Sequence, residues 1–436
     1  MKKKILIVSD PLSTVTGLAY VAGSFARYFC SKLDEYEVGY FTLRGEFTSK
    51  ILAVDNMEGD PTLDNLKIMS IKDNTPQNLL ANFTKIIGEF QPQIVITVAD
   101  PWELEAIAFC ELRYSYCWIA YTTIEVPRIY GDRVFNQSYV IKRNFKSIYE
   151  VLSKANLIVP VTEMAKNALI EFDVMGHKLD NVCVNWVYNG LDVEKKIVNK
   201  HKKSEIFKGM IKDDEFVFMS LGVNSERKKL EQTIIAFHHF LQRLVNKKED
   251  ISKIKLYLHT NLHSAPNGTD LMSVINEYKL NDFVIGMSTQ SLLPKEKIYE
   301  IYSACDVYVS FSGGEGFGYG CAEAMLNGLP LVYINHGGHC EFACYGGLPV
   351  GIRDYCYAIK LGMKWALPDF KDASKQMYAL YRDKKKRDEL GKAGQEHIVE
   401  NFGWDKIGSQ LEEIILKHYA NTKDQNLYGM KIKRLG

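Results

Sequence analysis

The stretch Asp306 to Gly328, DVYVSFSGGEGFGYGCAEAMLNG, constrains the fold more than any other part of the chain. Val307 to Phe311 is β-branched and aromatic and reads as a buried strand; glycines follow at 313, 314, 316, 318 and 320; CAEAMLN then reads as a helix closed by Gly328. Glycines at a strand–helix turn let bare backbone N–H groups approach a ligand. The helix start beyond them adds a partial positive charge suited to a phosphate or an oxyanion. Glu315 lies in the loop and Glu323 eight residues on, in the second turn of the helix, so two carboxylates are expected to face one pocket from different heights. Carboxylates only accept hydrogen bonds, and a sugar ring or a ribose presents paired hydroxyl donors. Taken alone, the same loop also reads as a surface turn with two solvated glutamates.

A chain of 436 residues divides naturally into two domains of about 200 residues. The first restarts the same pattern: Lys4 to Val8 is an apolar strand, and DPLSTVTGLAYVAGSFARYF carries Gly17 where a loop turns into an amphipathic helix. That glycine is single, so this is not the G-x-G-x-x-G of a dinucleotide site, and Thr16 beside it also reads as a plain helix cap. YEVGYFTL, QIVITVAD, SYCWIAYTTI and ANLIVPVT read as further parallel strands. Ligands in such sheets collect at strand C-terminal ends, which marks Asp100, Thr122, Thr123 and Glu125. A carboxylate at a strand end before a proline is well placed to receive a hydroxyl proton, so Glu125 is a candidate base, with a solvated loop glutamate as the alternative. The charged run KKIVNKHKKSEIFKGMIKDDE is expected to be a solvated linker. Beyond it, FVFMSLGVNSERKKLEQTIIAFHHF is again strand, loop and helix, and KIKLYLHTN is a strand ending at His259 and Thr260.

Nine cysteines with no Cys-x-x-Cys pair point to reduced thiols and a cytoplasmic setting. A formal charge of +1 gives no reason to expect nucleic acid as partner. No apolar run is long enough to span a membrane. MKKK and the Lys142, Arg143, Lys146 group permit at most peripheral contact with anionic lipid. His336, His339, Cys340 and Cys344 can be written as a zinc quartet, but the spacing fits no usual ligand pattern. No Gly-x-Ser-x-Gly elbow, Walker loop or Asp-x-Asp occurs.

Glu-x7-Glu in the setting EGFG…EAM, after an aromatic strand and before Gly-x-Pro, resembles the donor-sugar motif of retaining GT-B glycosyltransferases, the family-four (glycosyl transferases group 1) type. That resemblance implies an α/β protein of two Rossmann-like domains facing a cleft, with a C-terminal helix crossing back to the N-terminal domain. The boundaries expected are 1–195 for an acceptor domain, 205–404 for a donor domain, and 405–436 for the crossover helix and tail. It extends to VPVTEMAKNAL, to VYNGLDVEK with Tyr188 in place of a proline, to GLPLVYINHGGHCEF with Glu341 on a mainly architectural glutamate, and to the closing FGW helix. Lys228 falls on the family's diphosphate lysine; Val223 stands at its arginine position, leaving Arg227 as the nearest replacement.

The resemblance implies a nucleotide-sugar donor such as a UDP- or GDP-sugar, a glycan, protein or lipid-linked acceptor, and no cofactor or metal. Glu315, Arg227, Lys228, Glu125 and Asp100 are then the catalytic candidates. Glu323, Gly316, Phe317, Gly318, Ser312, Thr260 and Gly17 are the donor-binding ones. Many relatives place a histidine in the N-terminal domain, yet residues 1–176 contain none. Asp100 or Glu125 taking that role, the donor phosphate serving as base, and a non-catalytic sugar-nucleotide or glycan binder all stay open. A GT-B epimerase or phosphorylase is a third class; no support for a pyridoxal phosphate lysine is found.

Overall fold

In the computed structural model the described residues are 2–14, 16–43, 60–69, 78–129, 134–135, 146–171, 178–180, 182–183, 185–197, 199–263, 268–287, 293–358 and 363–424. Val15, Lys142, Arg143, His177 and the end of the tail lie outside them, as does the side chain of Lys146. The chain forms two units: Met1–Ile124 with Gly131–Gly190 and Trp404–Gly436, and Glu125–Tyr130 with Leu191–Gly403.

The first unit contains β1 (Lys3–Ser9), α1 (Gly17–Cys30), β2 (Tyr36–Thr42), β3 (Lys67–Met69), α2 (Leu79–Phe90), β4 (Ile94–Val98), α3 (Glu105–Ala108), β5 (Cys117–Thr122), a short antiparallel pair β6 (Val134–Phe135) and β7 (Lys146–Ser147), α4 (Ile148–Leu152), β8 (Leu157–Pro160) and α5 (Glu163–Ile170). Six strands make one parallel sheet in the order β3-β2-β1-β4-β5-β8. Ile5 to Val8 and Ile94 to Ile96 are inaccessible to solvent, because helices cover both faces and a central parallel strand must then be apolar throughout. The predicted strands at 36–43, 93–100, 115–124 and 155–162 are all present. The edge strand β3 was not predicted, since three residues are too few to show a period.

The second unit begins with α6 (Lys203–Ile206) and continues through β9 (Phe216–Leu221), α7 (Leu230–Asn246), β10 (Ile254–Asn261), α8 (Leu271–Glu277), β11 (Val284–Met287), α9 (Lys295–Ala304), β12 (Val307–Ser310), α10 (Tyr319–Leu326), β13 (Leu331–Ile334), α11 (Cys340–Ala343) and β14 (Gly347–Val350). An antiparallel pair, β15 (Ile352–Tyr357) and β16 (Lys364–Pro368), precedes α12 (Phe370–Arg382) and α13 (Lys384–Asn401). Its parallel sheet runs β11-β10-β9-β12-β13-β14, the same winding as the first. In both sheets the strand order reverses beside the first strand, between β1 and β4 and between β9 and β12. The loops leaving those strands diverge there and open a crevice at their C-terminal ends.

The charged run at 195–215 is not the solvated linker expected. Phe207 and Ile211 are buried, the Phe207 ring packs on Tyr257, and Lys203 Nζ pairs with Asp306 at 2.6 Å while also donating to the Glu215 carbonyl. Composition concealed this because two buried apolar residues among lysines are enough to dock a segment.

The last helix, α14 (Trp404–Asp424), belongs to the first unit although it closes the chain. Trp404 lies edge-on to Tyr20 and Phe25, and a side chain on Gly190 would fall 2.5 Å from its ring. One turn-pair further on, buried Glu412 accepts hydrogen bonds from Tyr28 Oη (2.7 Å) and Tyr36 Oη (2.6 Å) and pairs with Lys32. Burial alone would raise the Glu412 carboxyl, but these donors outweigh it and hold it below its ordinary value. A depressed carboxyl stabilises the fold above its unfolded pKa, about 4.3, and that stabilisation is lost as the pH falls through the folded value. Glu412→Gln is therefore expected to lower stability by about 1–3 kcal/mol at pH 7. The gap in melting temperature from wild type begins to narrow as the pH falls below the unfolded value of about 4.3; a gap that does not narrow at any pH down to the acid limit of the fold would refute the charge-based account.

Candidate functional site

The crevice of the second unit is framed by the loop after β9, residues 222–229, and the loop after β12, residues 311–318. Arg227 and Lys228 come from the first and Glu315 from the second. Lys228 Nζ donates to Glu315 Oε1 at 2.6 Å; Arg227 Nη1 donates to Glu315 Oε2 at 2.9 Å and to the Gly314 carbonyl at 2.7 Å. The two loops are also stitched through their backbones: Gly313 N–H donates to the Arg227 carbonyl, and Ser312 Oγ donates to the carbonyls of Arg227 and Gly314. Glu315 is only 7% exposed. Burial would push its carboxyl up; Lys228 and Arg227 together more than reverse this and hold it well below the usual carboxylate range.

The glycines of the loop meet separate requirements. Gly318 caps α10 in the left-handed region at φ +93°, where an added Cβ would lie 2.7 Å from that of His339. Gly313 and Gly314 are glycines because Trp365 of β16 packs against both, and because the Glu125 carbonyl lies where a Gly314 side chain would go, 2.6 Å away. Their smallness serves internal packing, where the sequence suggested only ligand approach. Behind the loop, the Gly337–Gly338 turn meets Glu315: Gly338 N–H donates to its carbonyl at 2.7 Å, and at Gly337, with φ +102°, an added Cβ would lie 2.9 Å from the Glu315 backbone nitrogen.

His339 is fully buried beside this turn. Its Nε2 lies 3.2 Å from the Ile334 carbonyl, while Nδ1 has no protein partner. Burial pushes His339 down to about 4, even though Glu315 and the Ile334 carbonyl pull the other way. His336 is likewise pushed down to about 4 by burial. Cys340 Sγ donates to the Ile334 carbonyl and Cys344 Sγ to that of Glu341. Among the described residues no three His, Cys, Asp or Glu side chains converge on a metal-sized site.

Glu323 does not share the surroundings of Glu315. Its carboxylate lies 3.5 Å from Tyr302 Oη and 3.8 Å from Lys295 Nζ, and Lys295 in turn lies 3.9 Å from the buried Asp192. Glu315 thus sits against two cations, while Glu323 and Asp192 flank one lysine. Neither Lys295 nor Asp192 was singled out in the sequence. Asp192 stood in the VYNGLDVEK segment and offered a signal, whereas Lys295, one lysine among many, offered none.

The Phe317 ring is buried against Tyr319, Phe342 and Phe402, which leaves the backbone of this residue as the part that can face a ligand. Thr260, at the end of β10, is buried with Oγ1 lacking a protein partner. Nearby, Asn224 Nδ2 donates to the carbonyls of Asn261, His263 and Thr269, fixing the β9 loop to the one beyond Thr260.

In the first unit, Gly17 is exposed at the first position of α1. The Thr16 hydroxyl caps that helix, accepting from Ala19 N–H and donating to Asp10 Oδ2 at 2.9 Å. Asp100 follows β4 at that unit's own strand-order reversal. Glu125, expected in the N-terminal domain, groups with the second unit instead, and its Oε2 is buried without a protein partner.

Two doubly wound sheets of identical order, joined at 190–191 and closed by a helix that returns to the first, define a GT-B fold. Residues 201–397 match the family described as glycosyl transferases group 1. Structural likeness covers nearly the whole chain. Sucrose-phosphate synthase from Thermosynechococcus elongatus superposes with a TM-score of 0.69 at 15% identity, over 96% of this chain and 100% of that one. Anabaena HepE in complex with UDP and glucose gives 0.66 at 16%, over 95% and 100%. A glycosyltransferase from Rickettsia africae gives 0.67 at 13%, over 96% and 99%. In sequence, a D-inositol 3-phosphate glycosyltransferase from Corynebacterium aurimucosum is 31% identical over 121 residues, which is 28% of this chain and only a quarter (25%) of the relative.

Proposed function

We propose that the chain is a glycosyltransferase that moves a sugar from a nucleoside diphosphate sugar to a hydroxyl acceptor, with retention at the anomeric carbon and without a metal ion. The observation that carries this reading is the convergence of Arg227, Lys228 and Glu315 at the strand-order reversal of the second sheet. A departing diphosphate needs fixed cations, and these two come from a loop locked in place by backbone hydrogen bonds, so little reorganisation is needed as charge develops. In support, structures of similar fold were determined with UDP and with UDP-glucose.

Glu315 accepts from donor sugar hydroxyls, and the backbone of Gly316 to Gly318 offers N–H groups to sugar and phosphate. Ser312 keeps the loop in register, Thr260 serves the nucleotide base, and Glu323 takes the ribose diol. Gly17 lets donor phosphate or acceptor approach the first unit. Asp100 and Glu125 are the carboxylates available to receive the acceptor proton. Nine free cysteines, six of them buried, support a reducing, cytoplasmic compartment. Among the described residues no helix is long and apolar enough to cross a membrane, and the acceptor is a glycan, a protein or a lipid-linked sugar.

Glu323→Ala is expected to weaken nucleotide binding by about 1–3 kcal/mol with a smaller effect on turnover at saturation. Calorimetry with UDP and GDP checks this, and unchanged affinity for whichever nucleotide binds would remove Glu323 from the site. Transfer is also expected to survive EDTA, because Arg227 and Lys228 supply the charge a metal would; loss on chelation with recovery on adding manganese would end the metal-free reading.

The absence of histidine before His177 favours a second reading, a protein that binds sugar nucleotides without transferring the sugar. Such a binder shifts its melting temperature with a nucleotide sugar yet releases no nucleoside diphosphate, and an assay for the released nucleotide separates the two.

A further inference from the structure

Arg227 and Lys228 are not free cations waiting for an anion. Lys228 Nζ and Arg227 Nη1 engage the two oxygens of one carboxylate, and Nη1 also donates to the Gly314 carbonyl. That carboxylate is held in place. The Glu315 carbonyl accepts from Gly338 N–H, a side chain on Gly337 would fall 2.9 Å from the Glu315 nitrogen, the hydrogen bond from Gly313 to the Arg227 carbonyl ties the two loops together, and the Glu315 side chain is 9% exposed. Against these two cations Glu315 sets one fixed negative charge. Any phosphate that reaches Arg227 and Lys228 must share them with a like charge that has nowhere to retreat.

We propose that Glu315 is an internal competitor of phosphate: by occupying the two cations that hold the diphosphate, it weakens the grip on the leaving group and speeds product release. This rests on the transferase reading of the same residues and adds a second role to the sugar-binding one. A cation pair without a counter-anion would bind substrate diphosphate, transition state and product alike, which lowers KM without raising kcat. It would also retain the product, and release is the slow step in many enzymes. A carboxylate fixed against the pair disfavours the product, whose charge is highest once the sugar has left.

Calorimetric titration of the whole chain with inorganic pyrophosphate tests the proposal. Glu315→Gln keeps the shape and one acceptor oxygen but removes the charge; it is expected to bind pyrophosphate about tenfold tighter than wild type, with a steeper loss of affinity as salt rises. Affinity that is unchanged or weaker, or binding to neither protein, overturns it. Should Glu315→Gln fail to fold, Glu315→Asp draws the charge back by one methylene and is expected to tighten binding to a smaller degree; no tightening again overturns the proposal. Adding Arg227→Met to the Gln variant returns the affinity towards wild type. Pyrophosphate needs no sugar, so failure here with turnover of a nucleotide sugar intact refutes only the competition. Tight pyrophosphate binding without turnover of any nucleotide sugar refutes the transferase reading and leaves the competition standing.

Discussion

Replacing Glu315 with alanine is expected to lower turnover of a nucleotide sugar by roughly 1–3 kcal/mol, about 5- to 150-fold, while affinity for the nucleoside diphosphate is retained or rises. The split follows from what the side chain touches. Its loss removes an acceptor for sugar hydroxyls but leaves both phosphate-binding cations in place. A stability loss accompanies it, because Arg227 and Lys228 are less than a third exposed and lose their counter-ion. Removing one partner of such a cluster costs about 2–4 kcal/mol. With its carboxyl depressed, Glu315 contributes this stability above its unfolded pKa near 4.3, and the contribution is lost only as the pH falls through the folded value, deep in acid. Steady-state kinetics and thermal melting of the variant read both effects. Wild-type turnover in a folded Glu315→Ala protein would show that the loop is not the reaction centre.

The second large effect is expected at Gly318. An alanine there would take a left-handed conformation at φ +93° and set its Cβ 2.7 Å from that of His339, which is itself buried and unable to yield. The conformational penalty is about 1–2 kcal/mol and the overpacking about 1–3 kcal/mol, so Gly318→Ala is expected to destabilise by roughly 2–5 kcal/mol. Gly351→Ala, where the nearest atom to an added Cβ is Asp372 Oδ2 at 3.7 Å, is expected to stay within about 0.5 kcal/mol. Chemical denaturation of the two variants side by side makes the comparison; equal midpoints would contradict the packing described for the loop.

Much of this architecture was legible in the amino-acid sequence because central parallel strands are buried on both faces and read as unbroken apolar runs. Ile5 to Val8, Ile94 to Ile96 and Val307 to Val309 are of this kind. The glycines after β12, with Glu315 among them, located the crevice, and the basic pair after β9 located its other wall. What stayed hidden was set by tertiary packing. Where the Phe317 ring packs depends on Phe342 and Phe402, which no local pattern around the motif announces. Gly313 and Gly314 looked like a cradle until Trp365 was found against them. The partner of Glu323 was equally out of reach, since spacing along a helix gives an angle but not the lysine that waits there. Lys203, in a run resembling a linker, pairs with Asp306 across about a hundred residues, a distance at which composition carries no information.

The most direct test is to incubate the purified chain with a panel of uridine and guanosine diphosphate sugars and measure release of the nucleoside diphosphate and the shift in melting temperature. The account predicts that at least one of them raises the melting temperature and is turned over, slowly by hydrolysis and faster with a hydroxyl acceptor, with EDTA present, and that Glu315→Ala abolishes most of that turnover. If no nucleotide sugar shifts the melting temperature or releases its nucleotide, the assignment of the second unit's crevice to a sugar donor is wrong.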